Sequence, residues 1–533
     1  MSRRIDSGEL CIVLHAHMPY VEGFGTWPFG EEWLLEAIAA SYLPLIALLE
    51  EFSGDGDDGP LATVGVTPVL ADQLSLPEVG ERFLRFMRET RAECHRLDIE
   101  GLEQADRREA AAALRDSAED YEWAADEFER RAGDLLGALS RLRDAGAIEL
   151  WTSSATHAVL PLLATEQGIQ LQLAAGIASH HARFGAWGGG LWLPECAYRP
   201  ELDEQLESAG VRAFCVDQTR HGDASEQLAP RRTPAGPIAV PIDWRTVSLV
   251  WDERGYPADP VYRDYHVPTL NGLRPWANSG APYDRAAASA RAREHARDFV
   301  ARVVRRADDY SAAAGKPALI ACALDAELLG HWWYEGVDWL RYVFEEARAA
   351  GLRLSTLPEA LDRHPVDTIP LRESSWGASK DLRTWDSGAV ADLVWPAREA
   401  ELRLVGTLGD AALANGGFGE PERAAATRAA RELLALQSSD WAFMATRRLA
   451  ADYPEQRVAN HARAFDHAIG ALADGVKHFR SMSARTSDAR RSNGAGRASI
   501  DARLRGLAPS LELAPLVAPS SPWGRQWAVR PGA

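Results

Sequence analysis

Seven short, nearly continuous apolar runs recur along the first 324 residues, at 10–17, 62–66, 148–152, 190–193, 213–216, 238–241 and 318–324. Runs of this length read as strands buried on both faces, and the longer amphipathic stretches between them read as helices. Strand and helix in alternation predict an α/β fold built on a parallel sheet.

Two segments leave that rhythm. From 77 to 145 the pattern is helical, with Tyr121, Trp123, Phe128, Leu135, Leu139 and Leu142 marking an amphipathic stretch. From about 390 to 480 the period is again helical with no strand candidate. The expected organisation is a β/α barrel from 1–76 and 146–390, a helical insertion at 77–145, and a C-terminal α-helical domain at 391–480. Residues 481–533 are rich in Ser, Ala, Arg and Pro. They are expected to be a disordered tail whose few apolar side chains could dock on the body. No internal repeat is visible.

Composition narrows the partners. The 533 residues are 46% hydrophobic and 25% charged, with no apolar run that stands out as a membrane span. A net charge of −19 disfavours a nucleic-acid backbone or an anionic membrane and suits a neutral substrate. Eighteen tryptophans against fourteen phenylalanines is a high ratio, and indole faces suit sugar rings as well as cores. The N-terminus has basic residues but no signal-peptide apolar region, and reads as leading into a first strand. Cys11, Cys94, Cys196, Cys215 and Cys322 are scattered without CxxC spacing, which argues against a disulfide framework or a thiolate metal site and for the cytoplasm.

Three stretches can carry chemistry. In "LCIVLHAHMPY", His15 and His17 share one face of a strand near its C-terminal end, where barrel enzymes place their sites. Metal binding, substrate binding and structural hydrogen bonding all remain open for this pair. In "PALIACALDAELLGHWWYEG", a strand ends at Asp325 beside aromatics, where desolvation would raise a general acid. Asp325 could instead cap the next helix, and Glu327 competes for the catalytic role. In "GLWLPECAYRP", Glu195 is one carboxylate at the end of another strand. Two carboxylates on different strand ends among tryptophans are what glycosidic chemistry uses.

The ordered blocks "VLHAHMPY", "ELWTSSATHAVLPLL", "LWLPECAYRP", "ALDAELLGHWWYEG", "SSWGASKDLRTWDSG" and "LLALQSSDWAFMATRR" resemble the α-glucan branching enzymes of glycoside hydrolase family 57. The resemblance runs from about residue 10 to 478. It implies a distorted (β/α)7-type parallel barrel and an α-1,4-glucan substrate, with no metal and no cofactor. It implies that Glu195 is the nucleophile and Asp325 the acid/base. His15, His17 and His157 match sugar-subsite histidines, Trp376 and Trp385 a tryptophan pair near the donor chain, and Trp276 a third tryptophan. Asp440 matches a polar residue that the helical domain brings towards the cleft. In "VWDERGYPADPVYRDYH", Tyr256 matches the tip of a mobile loop that would shield the intermediate from water.

Two departures from the family pattern stand out. The segment between "LRPWANSG" and "PALIACALD" is short, and Ala-Ser-Lys replaces commoner glycines beside Trp376. The alternatives are a non-branching family 57 amylase or 4-α-glucanotransferase, a metal-dependent sugar hydrolase or deacetylase using His15 and His17, and a glycan-binding protein with a dead site.

Overall fold

A computed structural model of the chain describes residues 6–26, 28–53, 59–222, 224–413, 419–483, 504 and 506–517. Its ten strands are β1 (Gly8–Ala16), β2 (Ala62–Val66), β3 (Ile148–Ser153), β4 (Gly190–Trp192), β5 (Ala213–Val216), β6 (Arg231–Arg232), β7 (Ile238–Pro241), β8 (Ala318–Asp325), β9 (Arg353–Leu354) and β10 (Asp367–Thr368). They lie in the order β10-β6-β7-β5-β4-β3-β2-β1-β8, with β9 beside β1. The seven from β8 through β1 to β7 pair in parallel and curl into an incomplete barrel. β7 and β8 share no ladder; a hydrogen bond from Asp243 N to Ala321 O, 2.8 Å, links their ends. Each of these seven strands falls where an apolar run predicted one.

Alternation along the strands separates the two sides of the sheet. Cys11 and Val13 of β1 point into the barrel, where they meet Trp151, Trp192, Cys215, Val240, Ala321 and Ala323. Leu10, Ile12 and Leu14 point outwards into the core formed with the surrounding helices. Both faces are buried, so apolar residues dominate the strands and a buried polar one such as Glu9 is paired, here with Arg363 and His364. Gly190 is required on packing grounds, because a Cβ there would run into the Trp151 indole.

Helices fill the stretch between β2 and β3: Pro77–Arg85, a π-helical turn Phe86–Arg91, Ala92–Gln104, Arg108–Arg130 and Leu135–Asp144. One residue of the expected apolar face is misplaced. Trp123 is exposed while Ala124, Ala125 and Phe128 are buried, because the stripe through Tyr121 and Phe128 turns Trp123 towards solvent.

The C-terminal helices Ala391–Leu413, Glu420–Leu436, Ser439–Arg447 and Tyr453–Ser483 share a core that also takes in Tyr20, Val69 and Leu171 of the barrel body. Part of the expected tail departs from disorder. Leu504, Leu507 and Leu516 are buried in that core, and Ala508 N donates to Asp72 Oδ2 at 2.6 Å. Of 484–533, all but 504 and 506–517 lie outside the described residues. The stretch Glu31–Ser53 corrects the reading of composition: it is apolar and long enough to cross a membrane, yet 78% of its apolar window is buried inside the fold.

Candidate active site

The C-terminal ends of the parallel strands gather the polar residues. Glu195 follows β4 in a left-handed conformation, φ 61°, and Cys196 and His157 are left-handed too, at φ 47° and 58°. Non-glycine residues held there cost of order 1–3 kcal/mol each and persist only where surroundings over-determine them. Here Trp376 supplies two restraints. Its backbone N donates to Glu195 O at 2.9 Å, and its indole Nε1 donates to Glu195 Oε2 at 2.8 Å. Trp376 in turn packs edge-on against Trp192, with ring centres 5.1 Å apart.

Glu195 is buried, and burial pushes its carboxyl up to about 7 against the pull of donors Trp376 and Ser439. Ser439 and its neighbour Asp440 start the helix Ser439–Arg447, so the helical domain reaches Glu195 directly. An antiparallel bridge between Ala158 and Ser438, with Ser439 N donating to His157 O at 3.2 Å, fastens that helix to the loop after β3.

The histidines form an ordered relay beside it. His15 Nε2 and His157 Nε2 are 3.0 Å apart, and His157 Nδ1 is 2.9 Å from Ser439 Oγ. Burial holds both imidazoles well below the usual histidine value, so both are neutral. If Ser439 gives its proton to Glu195, it must accept from His157 Nδ1–H, and His157 Nε2 must accept from His15 Nε2–H. His15 Nδ1 then carries no proton, in keeping with its lack of a hydrogen-bond partner among the described residues.

His17 is set differently. Its Nε2 lies 3.0 Å from Asp440 Oδ2 and its Nδ1 3.1 Å from Thr67 Oγ1. Burial disfavours the imidazolium, but Asp440 outweighs it and raises His17. Asp440 is pushed up by burial and pulled down further by His17, to about 2. His17 stacks on His157 at 4.1 Å and His15 on Trp192 at 4.5 Å. The rings thus stack, and among the described residues no three His, Cys, Asp or Glu side chains converge as a metal-ligand group.

Asp325 ends β8 directly opposite His15 in the β1–β8 register. It precedes a single 3-10 turn without a side-chain capping bond, so capping does not account for it. Desolvation, with the charges of Glu327 and Glu195, holds its carboxyl well above the usual range. Glu327 is locked in place: Oε1 accepts from His17 N at 2.9 Å and from Tyr42 OH at 2.5 Å. Tyr42 is delivered by a π-helical turn, Ile38–Tyr42, a geometry frequent near functional sites. Glu327 therefore braces the first strand's loop, while Asp325 is partly exposed.

Three residues expected to contact the substrate are engaged by protein partners. Trp385 is 2% exposed and packs with Val159, Leu382 and Ala442, backing the turn at Gly377. Trp276 lies beneath the Arg107 guanidinium, 5.6 Å from ring centre to cation, on the side of the helical insertion. Tyr256 is not at an exposed loop tip. Its ring stacks on His295 at 4.4 Å and its hydroxyl donates to Asp298 Oδ2 at 2.7 Å, which ties it to the helix Arg285–Ala314. Burying the ring and satisfying the hydroxyl favours that tucked position.

The unusual Ala-Ser-Lys stretch is accommodated. Lys380 adopts φ 54°, a conformation open to glycine, and its ammonium donates to Asp217 Oδ2 at 2.8 Å over the face of Trp244. Sequence reasoning missed Ser439 and Thr67, small hydroxyls whose importance comes only from what they touch.

Known families match this chain in sequence and in fold. The profile of glycosyl hydrolase family 57 matches residues 11–372, and that of the 1,4-α-glucan branching enzyme C-terminal domain matches 400–488. The chain belongs to glycosyl hydrolase family 57. It is 34% identical over 514 residues to a 1,4-α-glucan branching enzyme of Thermococcus kodakarensis, covering 88% of this chain and 74% of that one. A probable 1,4-α-glucan branching enzyme of Mycobacterium tuberculosis is 35% identical over 503 residues, covering 88% and 93%. The crystal structure of a branching enzyme of this family from Pyrococcus horikoshii superposes with a TM-score of 0.87 at 29% identity, covering 97% and 98%.

Proposed function

We propose that the chain is a retaining α-glucan branching enzyme. It cuts an α-1,4 link and transfers the freed chain to a glucose 6-hydroxyl as an α-1,6 branch. One observation carries the mechanism: the two strand-end carboxyls differ in their partners. Burial raises both, but Glu195 accepts hydrogen bonds from Trp376 and Ser439 that pull it back towards ionisation, whereas the charges of Glu327 and Glu195 raise Asp325 further. That is the division of labour between nucleophile and acid.

Glu195 attacks the anomeric carbon while Asp325 protonates the departing glycosidic oxygen, leaving a glycosyl ester on Glu195. Asp325, now a carboxylate, takes the proton from the acceptor 6-hydroxyl as that oxygen displaces Glu195. The neutral His15 and His157 hold Ser439 so that its hydroxyl points to the nucleophile, and the His17–Asp440 pair lies beside them, the His17 ring stacked on His157. In this reading His17 and Trp376, both partly exposed, meet the bound sugar, and the buried His157 acts through Ser439. Five cysteines, all free and four of them buried, fit a reducing cytoplasm.

Incubation with amylose followed by enzymatic debranching checks the reaction: new chain ends must appear. Their absence alongside shortened amylose would favour the amylase or 4-α-glucanotransferase reading. Glu195→Gln is expected to lower kcat by on the order of 10⁴ or more while the protein stays folded; full turnover would remove the nucleophile assignment.

A further inference from the structure

Two tryptophans outside the cleft described above stand at the gap in the barrel. Trp251 ends the helix Trp244–Trp251, which follows β7, and Trp332 lies on the loop that follows Asp325 and β8. They are 41% and 40% exposed, and their ring centres lie 6.1 Å apart with the planes tilted by 57°. Single exposed apolar side chains need no explanation, but an adjoining indole pair does.

The Trp332 side is built to be rigid. Gly330, at φ 99°, makes the turn before it, and a Cβ there would collide with Ala40 O. Trp332 N donates to Glu327 O at 3.2 Å, the residue already braced by His17 and Tyr42. The indole N–H engages the Tyr265 hydroxyl. Tyr265 in turn is packed edge-on against His331 at 5.8 Å and beneath the Arg274 guanidinium at 4.4 Å. An exposed aromatic with this much support is preorganised to bind, not to fill a core.

The chemistry of double displacement says what would bind. With the donor sugar on Glu195, the departing chain and then the acceptor must lie on the Asp325 side. Trp192 and Trp376 crowd Glu195, while Trp332 is carried by Asp325's own loop. We infer that Trp251 and Trp332 form an aromatic platform that seats the acceptor α-glucan, stacking the apolar faces of successive glucose rings. The platform needs no charge, which suits a neutral polysaccharide. This inference rests on the carboxylate assignment of the proposed function.

The test combines binding and turnover. Trp332→Ala and Trp251→Ala, alone and together, are placed in the Glu195→Gln background, and maltoheptaose binding is measured by calorimetry. In the active enzyme, the dependence of transfer on acceptor concentration and the ratio of transfer to hydrolysis are measured. Expected are an approximately five- to tenfold loss of affinity and a matching rise in acceptor KM. Transfer falls relative to hydrolysis, the unfolding temperature is unchanged, and Trp332→Phe recovers much of the loss. Unchanged maltoheptaose affinity and acceptor KM in the folded double variant would overturn the platform. If the wild type transfers chains without making branches, the branching reading fails, and the platform is judged on disproportionation of maltoheptaose instead.

Discussion

At the scale of single residues, the informative side chain is Trp376. It fixes Glu195 twice, once through the backbone and once through the carboxylate. Its indole N–H favours the ionised carboxylate, opposing the burial that pushes Glu195 up to about 7. Trp376→Phe keeps the ring and removes the donor, so Glu195 should protonate at a still higher pH. The acid limb of kcat/KM is therefore expected to move up by about half to one pH unit, because a lost hydrogen bond of about 1 kcal/mol corresponds to that much. An unmoved limb would mean that the indole N–H does not act on Glu195. Glu195 and Asp325 were legible in the sequence because each ends an apolar run at a conspicuous polar break. Ser439 was not, since a serine in "QSSDWAF" acquires its role only from Glu195 across the domain boundary.

At the scale of elements, the helix Ser439–Arg447 completes a site otherwise made by strand ends. Its Asp440 pairs with His17, and the two groups shift in opposite directions. Asp440 is depressed, so its contribution to stability is present above its unfolded value of 3.8 and is lost as pH falls through about 2. His17 is raised, so its share is full below 6.5 and is lost as pH rises through its folded value. The pair thus stabilises most between about pH 4 and 6.5. Asp440→Asn is expected to cost about 2 kcal/mol at pH 5.5, with the deficit narrowing at pH 9. Urea unfolding at the two pH values checks this; equal deficits would show that His17 is neutral throughout. The strands themselves could be read from sequence, because burial on both faces leaves few polar residues to blur a run. Trp123 was misread because a long apolar side chain next to a correct stripe counts towards it in the sequence, whatever direction it faces.

At the scale of the whole molecule, the segment around 504–517 straps the helical domain to the barrel. Leu507 is fully buried, and Ala508 N meets Asp72, which also pairs with Arg183 at 2.8 Å. Leu507→Ala is expected to destabilise by about 2–4 kcal/mol, read as a lower unfolding temperature with kcat little changed in the folded enzyme. A wild-type unfolding temperature would mean that the strap does not hold. Composition pointed to disorder here because Ser, Ala, Arg and Pro dominate, and a few leucines bury only when a preformed groove awaits them. The sequence by itself determined the strand and helix plan and the family, and it singled out the two carboxylates as candidates, since these follow from local periodicity and from motifs short enough to be read in place. Only the tertiary structure decided that Glu327 braces and Asp325 is partly exposed, that Trp385 packs and Tyr256 tucks away, and that two exposed tryptophans adjoin at the β7–β8 gap. Those outcomes depend on burial and on partners hundreds of residues away, and neither is a property of any local stretch of chain.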